Sequence, residues 1–235
     1  MEARKSPSRP AGNIMDIVVV NCSPRPRGNT AQLLDQAIEG IHSLGADAVR
    51  VNYYHLQALG CHSCFSCKRL DSPSFGRCAW DDSLKPVLDM IIDDADALLI
   101  GSPIYYKCVS SGMRAFLERL VFPLHDYSPE RASLLGRKIP VGCIYTMNAT
   151  SAALERGYEA GWSQIRTLCE DFIGPYQELV VTDTLQFSDY SAYASKVFDP
   201  EHKRKVHEGQ FPHDLECAYE LGRSVTEAAA ALKAQ

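Results

Sequence analysis

Five short apolar runs constrain this chain more than any other feature. They are Asp16 to Asn21 (IVVV at its centre), Ala48 to Tyr53 (VRVNY), Ala97 to Gly101 (ALLIG), Ile139 to Tyr145 (IPVGCIY) and Glu178 to Asp183 (ELVVTD). Each is too short for a stable helix and rich in β-branched residues, the pattern of a strand buried on both faces. The segments between them follow the helical period. Thr30 to His42 carries Leu33, Leu34, Ala37, Ile38 and Ile41 on one face, and Ser83 to Asp93 carries Leu84, Val87, Leu88, Ile91 and Ile92. Met113 to Leu120 and Ala152 to Phe172 read as two further helices, and Pro212 opens a last one with Leu215, Tyr219, Leu221, Val225 and Leu232 facing inward. Strands alternating with helices predict an α/β fold, a doubly wound five-stranded parallel sheet in which ligands bind beyond the carboxyl ends of the strands. At 235 residues and 46% hydrophobic composition, one domain accommodates the whole pattern.

The formal charge of -5 provides no footprint for nucleic acid or for an anionic membrane. The opening MEARKSPSRPAGN is polar, and the apolar run after it is far shorter than a span or an export signal requires. These features predict a cytoplasmic protein with reduced thiols. Residues 1–14 read as a disordered tail, or as the product of a start upstream of Met15, leaving residues 15–235 as the folded domain. Two stretches fall outside the repeat, residues 60–82 and 184–210; the second reads as a surface excursion or as an arm packed on a second subunit.

The segment NCSPRPRGNT, Asn21 to Thr30, joins the first strand to the first helix, where doubly wound folds hold phosphate. Ser23, Asn29 and Thr30 offer side-chain hydrogen bonds beside the N–H groups of the helix start, and Arg25 and Arg27 add charge. The spacing is neither the dinucleotide fingerprint nor the P-loop. A cysteine-dependent phosphatase is a competing reading, since Cys22 opens this loop. Its chemistry requires five residues between Cys and Arg, and the position that should be Arg is Gly28.

The second concentration of chemistry is a loop of cysteines. Cys61, Cys64 and Cys67 are spaced C-x2-C-x2-C, and Cys78 follows after ten residues. This spacing is compatible with a [4Fe-4S] cluster, with free or redox-active thiols, or with zinc. Cys22, Cys108, Cys143, Cys169 and Cys217 lie singly on other elements. His62 among the cysteines is placed to be a ligand or a proton donor, though a lone loop histidine is more often neither, and Asp81 and Asp82 read as caps of the helix that follows.

SPRPRGNT followed by AQLL, and GSPIYYKCVSSGMRAFLERL after the third strand, together resemble the flavodoxin-like NADPH-dependent FMN reductases. The cysteine loop between them narrows the resemblance toward the iron-sulfur flavoproteins and their cluster-free relatives. The resemblance implies strand order 2-1-3-4-5, bound FMN, NAD(P)H as co-substrate, and a homodimer or higher homo-oligomer. Carried over residue by residue, it assigns Ser23, Arg25, Asn29 and Thr30 to the FMN phosphate. It lays Ser102, Pro103, Ile104, Tyr105 and Tyr106 along the ring, and it closes the site with Thr146, Met147 and Asn148 after Tyr145. No protein residue is required as a catalytic group, because the cofactor carries the reaction. The implied activity passes electrons from NAD(P)H to a quinone, a nitro or azo compound, a flavin or a protein acceptor. An electron carrier with FMN and a cluster, and a thiol-based redox sensor that binds flavin, are the alternatives. Two departures stand out: Cys22 where the family usually has Gly, and the long interval before Cys78.

Overall fold

The computed structural model describes residues 15–128, 133–152 and 154–235; the expected tail at 1–14 lies outside the described residues. Its centre is a parallel sheet built from β1 (Asp16–Asn21), β2 (Asp47–Asn52), β3 (Ala97–Tyr105), β5 (Val141–Thr146) and β6 (Tyr176–Val181), in the order β2-β1-β3-β5-β6. A two-residue strand, β4 (Cys108–Val109), pairs antiparallel with the end of β3 and makes a sixth. The parallel order is the one expected, with a hairpin added that is too short to leave a periodic signal.

Alternation along β1 shows why its residues are continuously apolar. Ile17 and Val19 pack on one side with α1 (Asn29–His42) and α6 (Phe211–Lys233), and Val18 and Val20 pack on the other with α2 (Lys85–Asp93), α3 (Ser111–Leu124) and α4 (Ser163–Phe172). All four are fully buried, so each face contributes about 1.5–3 kcal/mol per side chain removed from water. The α1/α6 contact depends on two glycines. A Cβ at Gly40 would meet the Tyr219 carbonyl oxygen at 2.1 Å, and one at Gly222 would meet that of Ala37 at 2.0 Å.

Two helical expectations change. The continuous helix expected over Ala152 to Phe172 is regular only from Ser163, because Gly157 takes a left-handed conformation (φ 80°) and breaks the preceding turns. The 184–210 segment contains a helix, α5 (Pro200–Gly209), capped by Asp199, whose side chain accepts the Glu201 N–H. It carries no apolar stripe, yet Lys203 is buried against the rest of the chain. Among the described residues no helix is long and apolar enough to cross a membrane.

Candidate functional site

The carboxyl ends of β1, β3 and β5 open into a cleft of about 500 Å³, within the usual range for ligand sites. Eleven of the twelve side chains expected at a cofactor line it: Ser23, Arg25, Asn29, Thr30, Pro103, Ile104, Tyr105, Tyr106, Thr146, Met147 and Asn148. The exception is Ser102. It is fully buried, and its hydroxyl accepts the Ser110 N–H at 3.0 Å, fastening the turn that begins α3. Ser110 in turn caps α3 through Met113 and donates to the Cys22 carbonyl at 2.7 Å.

One end of the cleft suits an anion. Gly28 is the N-cap of α1, no side chain caps that helix, and its first turn carries no acidic residue, so its N–H donors are left for a ligand. Ser23 and Thr30 are held nearby, Thr30 by a 2.8 Å hydrogen bond to Thr146. Arg25 and Asn29 reach across instead, donating to the carbonyls of Gln186 and Leu185 at 2.9 Å each. Thus the residues after β6 form a third wall, to which Thr184, Gln186 and Phe198 contribute. Sequence reasoning missed these three, because the segment lies outside the strand–helix repeat. The cap pair Asp199–Pro200 was the available sign that it folds back. Lys203 of α5 completes the wall by donating to the Asn148 carbonyl at 2.6 Å and pairing with Asp183.

Part of the lining is apolar and aromatic. Ile104 and Tyr105 reach it along β3, whose turn to β4 consists of Tyr106 and Lys107 alone. Both have left-handed backbone, with φ 50° and 69°, which costs roughly 1–2 kcal/mol for each residue with a side chain. A two-residue turn of this kind ordinarily takes Asn-Gly.

Cys22 is fully buried, with no exposed sulfur to offer a substrate. Burial, and after it the neighbouring Cys143, push its thiol well above the ordinary value, so the phosphatase reading loses its thiolate.

The four loop cysteines, Cys61, Cys64, Cys67 and Cys78, line a separate small pocket with His62 and Trp80, whose rings stack at 4.0 Å. Among the described residues no three His, Cys, Asp or Glu side chains form a set that could hold a metal ion. The thiols share a pocket without converging on a point: Cys61 and Cys64 are exposed, Cys67 is buried, and Cys78 accepts the Arg119 Nε–H at 3.3 Å. As arranged, then, the four cysteines, open to iron, zinc or free thiols by their spacing, do not converge on a metal-binding set. Protein contacts hold the loop in place. The Gly76 N–H bonds the Cys67 carbonyl at 2.9 Å and folds out the long interval. Lys68 donates to the Phe122, Pro123 and His125 carbonyls at the end of α3. Arg119, fully buried on α3, donates to the Leu59 and Trp80 carbonyls and grips Asp82 through both carboxylate oxygens.

Comparison with known proteins decides the family: residues 15–155 match that of the NADPH-dependent FMN reductases. The chain belongs to that family. An iron-sulfur flavoprotein of Archaeoglobus fulgidus is 27% identical over 107 residues, 46% of this chain and 46% of the relative. An FMN-dependent NADH:quinone oxidoreductase of Nocardia farcinica is 26% identical over 140 residues, 60% of this chain and 58% of the relative. The match thus spans about half the length of these curated relatives. An azoreductase from Bacillus anthracis superposes with a TM-score of 0.62 at 12% identity, covering 90% of this chain and 100% of that one, a likeness of fold.

Proposed function

We propose that this FMN reductase family member binds FMN in the cleft at the ends of β1, β3 and β5. Oxidation of NAD(P)H there would supply electrons to a small acceptor such as a quinone, nitro or azo compound. The observation that carries the reading is the make-up of that cleft, which joins an uncapped helix start to Pro103, Ile104, Tyr105 and Met147. FMN has the matching parts, a flat ring joined to a phosphate.

When bound, the flavin supplies the redox chemistry, accepting hydride and releasing electrons. The chain's residues bind and orient. The α1 N–H groups, Ser23 and Thr30 would hold the phosphate, and Arg25 would neutralise part of its charge while staying tied to the Gln186 wall. Pro103, Ile104 and Tyr105 would take the ring, with the Thr146–Asn148 turn, pinned by Lys203, beside it. With a quinone the overall reaction balances as NAD(P)H + H⁺ + quinone → NAD(P)⁺ + hydroquinone. No general base is needed, and no step passes through the cysteine pocket. Steady-state oxidation of NADH or NADPH by the FMN-loaded chain with menadione tests the proposal. The expected outcome is turnover that depends on FMN and on enzyme concentration; a rate no greater than free FMN alone overturns it.

A further inference from the structure

Helix α5 is docked through a charge. Its sequence PEHKRKVHEG offers no apolar face, and among the described residues its one buried side chain is Lys203. A lysine is almost never wholly buried unless it is paired, and this one has partners on three segments. Its Nζ donates to the Asn148 carbonyl at 2.6 Å, pairs with the Asp183 carboxylate, and lies 5.2 Å from the centre of the Phe198 ring. Asn148 and Phe198 both line the cleft, and Asp183 directly precedes Thr184, where the third wall begins. Asp183 has left-handed backbone, φ 56°, a conformation that costs a residue with a side chain and persists where its surroundings fix it. Around the ion pair the exits of β5 and β6 are laced together. The Asp183 N–H bonds the Ala149 carbonyl at 2.7 Å, and the Thr184 N–H and hydroxyl both donate to the Met147 carbonyl, at 3.0 and 3.1 Å. Asn148 gives its side-chain N–H to Gln186 at 2.7 Å. Its own side-chain oxygen is buried with no hydrogen-bond partner among the described residues, an acceptor left for a ligand N–H.

We infer that Lys203 is the positioning residue that keeps residues 184–199 closed along the cleft, and that this clasp makes FMN a resident cofactor rather than a substrate exchanged in each cycle. The inference rests on the FMN reading and deepens it by naming what governs release. One ammonium holds the Asn148 turn, the start of the wall and its Phe198 side chain together. For the wall to swing away from that turn, the ammonium must let go of one of them. Release therefore breaks a nearly buried ion pair, and a buried charge left without its partner is costly. Lys203 touches no ligand in this account; it acts through Asn148, Asp183 and Phe198.

Three variants test it: Lys203→Met, Asp183→Asn and, as a control on the same helix, Lys205→Met, which alters an exposed lysine paired only with Glu201. FMN uptake is followed by stopped-flow flavin fluorescence and FMN release by dilution of the loaded protein. The flavin-free chain is also digested with a protease of broad specificity, and cuts within residues 184–199 are timed. Lys203→Met should release FMN about tenfold faster or more, a hydrogen bond to a charged group being lost. Its association rate should stay within about twofold, and its wall should be cut sooner. Asp183→Asn should move release and digestion the same way by a smaller factor, since the amide oxygen still accepts from the ammonium. Lys205→Met should move neither. A merely structural role would lower the fraction of chains that bind and leave the release rate of the others unchanged; that pattern overturns the inference, and so does an equal effect in Lys205→Met. If Lys203→Met does not fold, unchanged release in Asp183→Asn overturns it. If the unmutated protein binds no FMN, the proposed function fails instead, and equal digestion of the wall in the unmutated and Lys203→Met chains then overturns the clasp as well.

Discussion

Replacing Arg119 with methionine should lower the stability of the fold by about 3 kcal/mol, and Tm by roughly 6–12 °C for a chain of this size. The guanidinium is wholly buried, and its hydrogen bonds go to Asp82, Cys78 and the carbonyls of Leu59 and Trp80. Those partners lie on the two flanks of the cysteine loop, so one side chain on α3 closes the loop at its base. Methionine fills much of the volume but leaves Asp82 nearly buried without its partner, and a buried carboxylate stripped of its cation is costly. The pH dependence carries a sign. Burial alone would raise the Asp82 carboxyl, but hydrogen bonds and charge from Arg119 hold it below the ordinary carboxylate value. Its contribution is therefore present above the unfolded value of about 4 and is lost as pH falls through the folded one. The gap between the two proteins should thus begin to narrow above about pH 4, where the variant's unpaired carboxyl, raised by burial, takes up its proton, and narrow further below it as the unmutated ion pair is lost. Urea unfolding at pH 7 and at pH 3.5 measures both the gap and its closure; a gap that is absent at pH 7 contradicts the role given to Arg119.

The second large effect concerns Arg25. Arg25→Ala should weaken FMN binding at least tenfold, a charge-assisted hydrogen bond being worth about 1.5–3 kcal/mol. Two losses add in that variant. The phosphate loses a full positive charge, and the Gln186 wall loses both the 2.9 Å bond to its carbonyl and the guanidinium lying 5.9 Å from the Phe187 ring centre. Arg25 and Arg27 are both exposed, but only Arg25 lines the cleft. Arg27→Ala should accordingly leave FMN affinity within about twofold, because an exposed charge without a placed contact is well screened. Equal losses in the two variants would show general electrostatic attraction to the loop rather than a placed contact.

The sheet was legible in the sequence because each strand is buried on both faces and leaves an uninterrupted apolar run, as Ile17 to Val20 does. The phosphate loop was legible because its position follows from the strand before it and the helix after it. Ser102 turns out to sit behind the cleft wall with its hydroxyl on Ser110, a distinction the SPIY pattern does not carry. The wall formed by Thr184, Gln186 and Phe198 was invisible for a different reason. It is held by polar contacts between distant segments, such as Asn29 to Leu185 and Lys203 to Asn148, and these carry no period. The strain at Tyr106 and Lys107 was equally hidden, since β4 is only two residues long. In the cysteine loop, spacing alone left iron, zinc and free thiols open. What it could not reveal was Arg119, forty-one residues beyond Cys78, donating to that sulfur.

The central claim is that the uncapped start of α1 holds the phosphate of FMN. A fluorescence titration of flavin-free protein with FMN and, in parallel, with riboflavin tests it most directly, because the two ligands differ only in that group. FMN should bind about 100-fold tighter or more, the sum of at least two charge-assisted hydrogen bonds. Equal affinities for FMN and riboflavin would contradict the account.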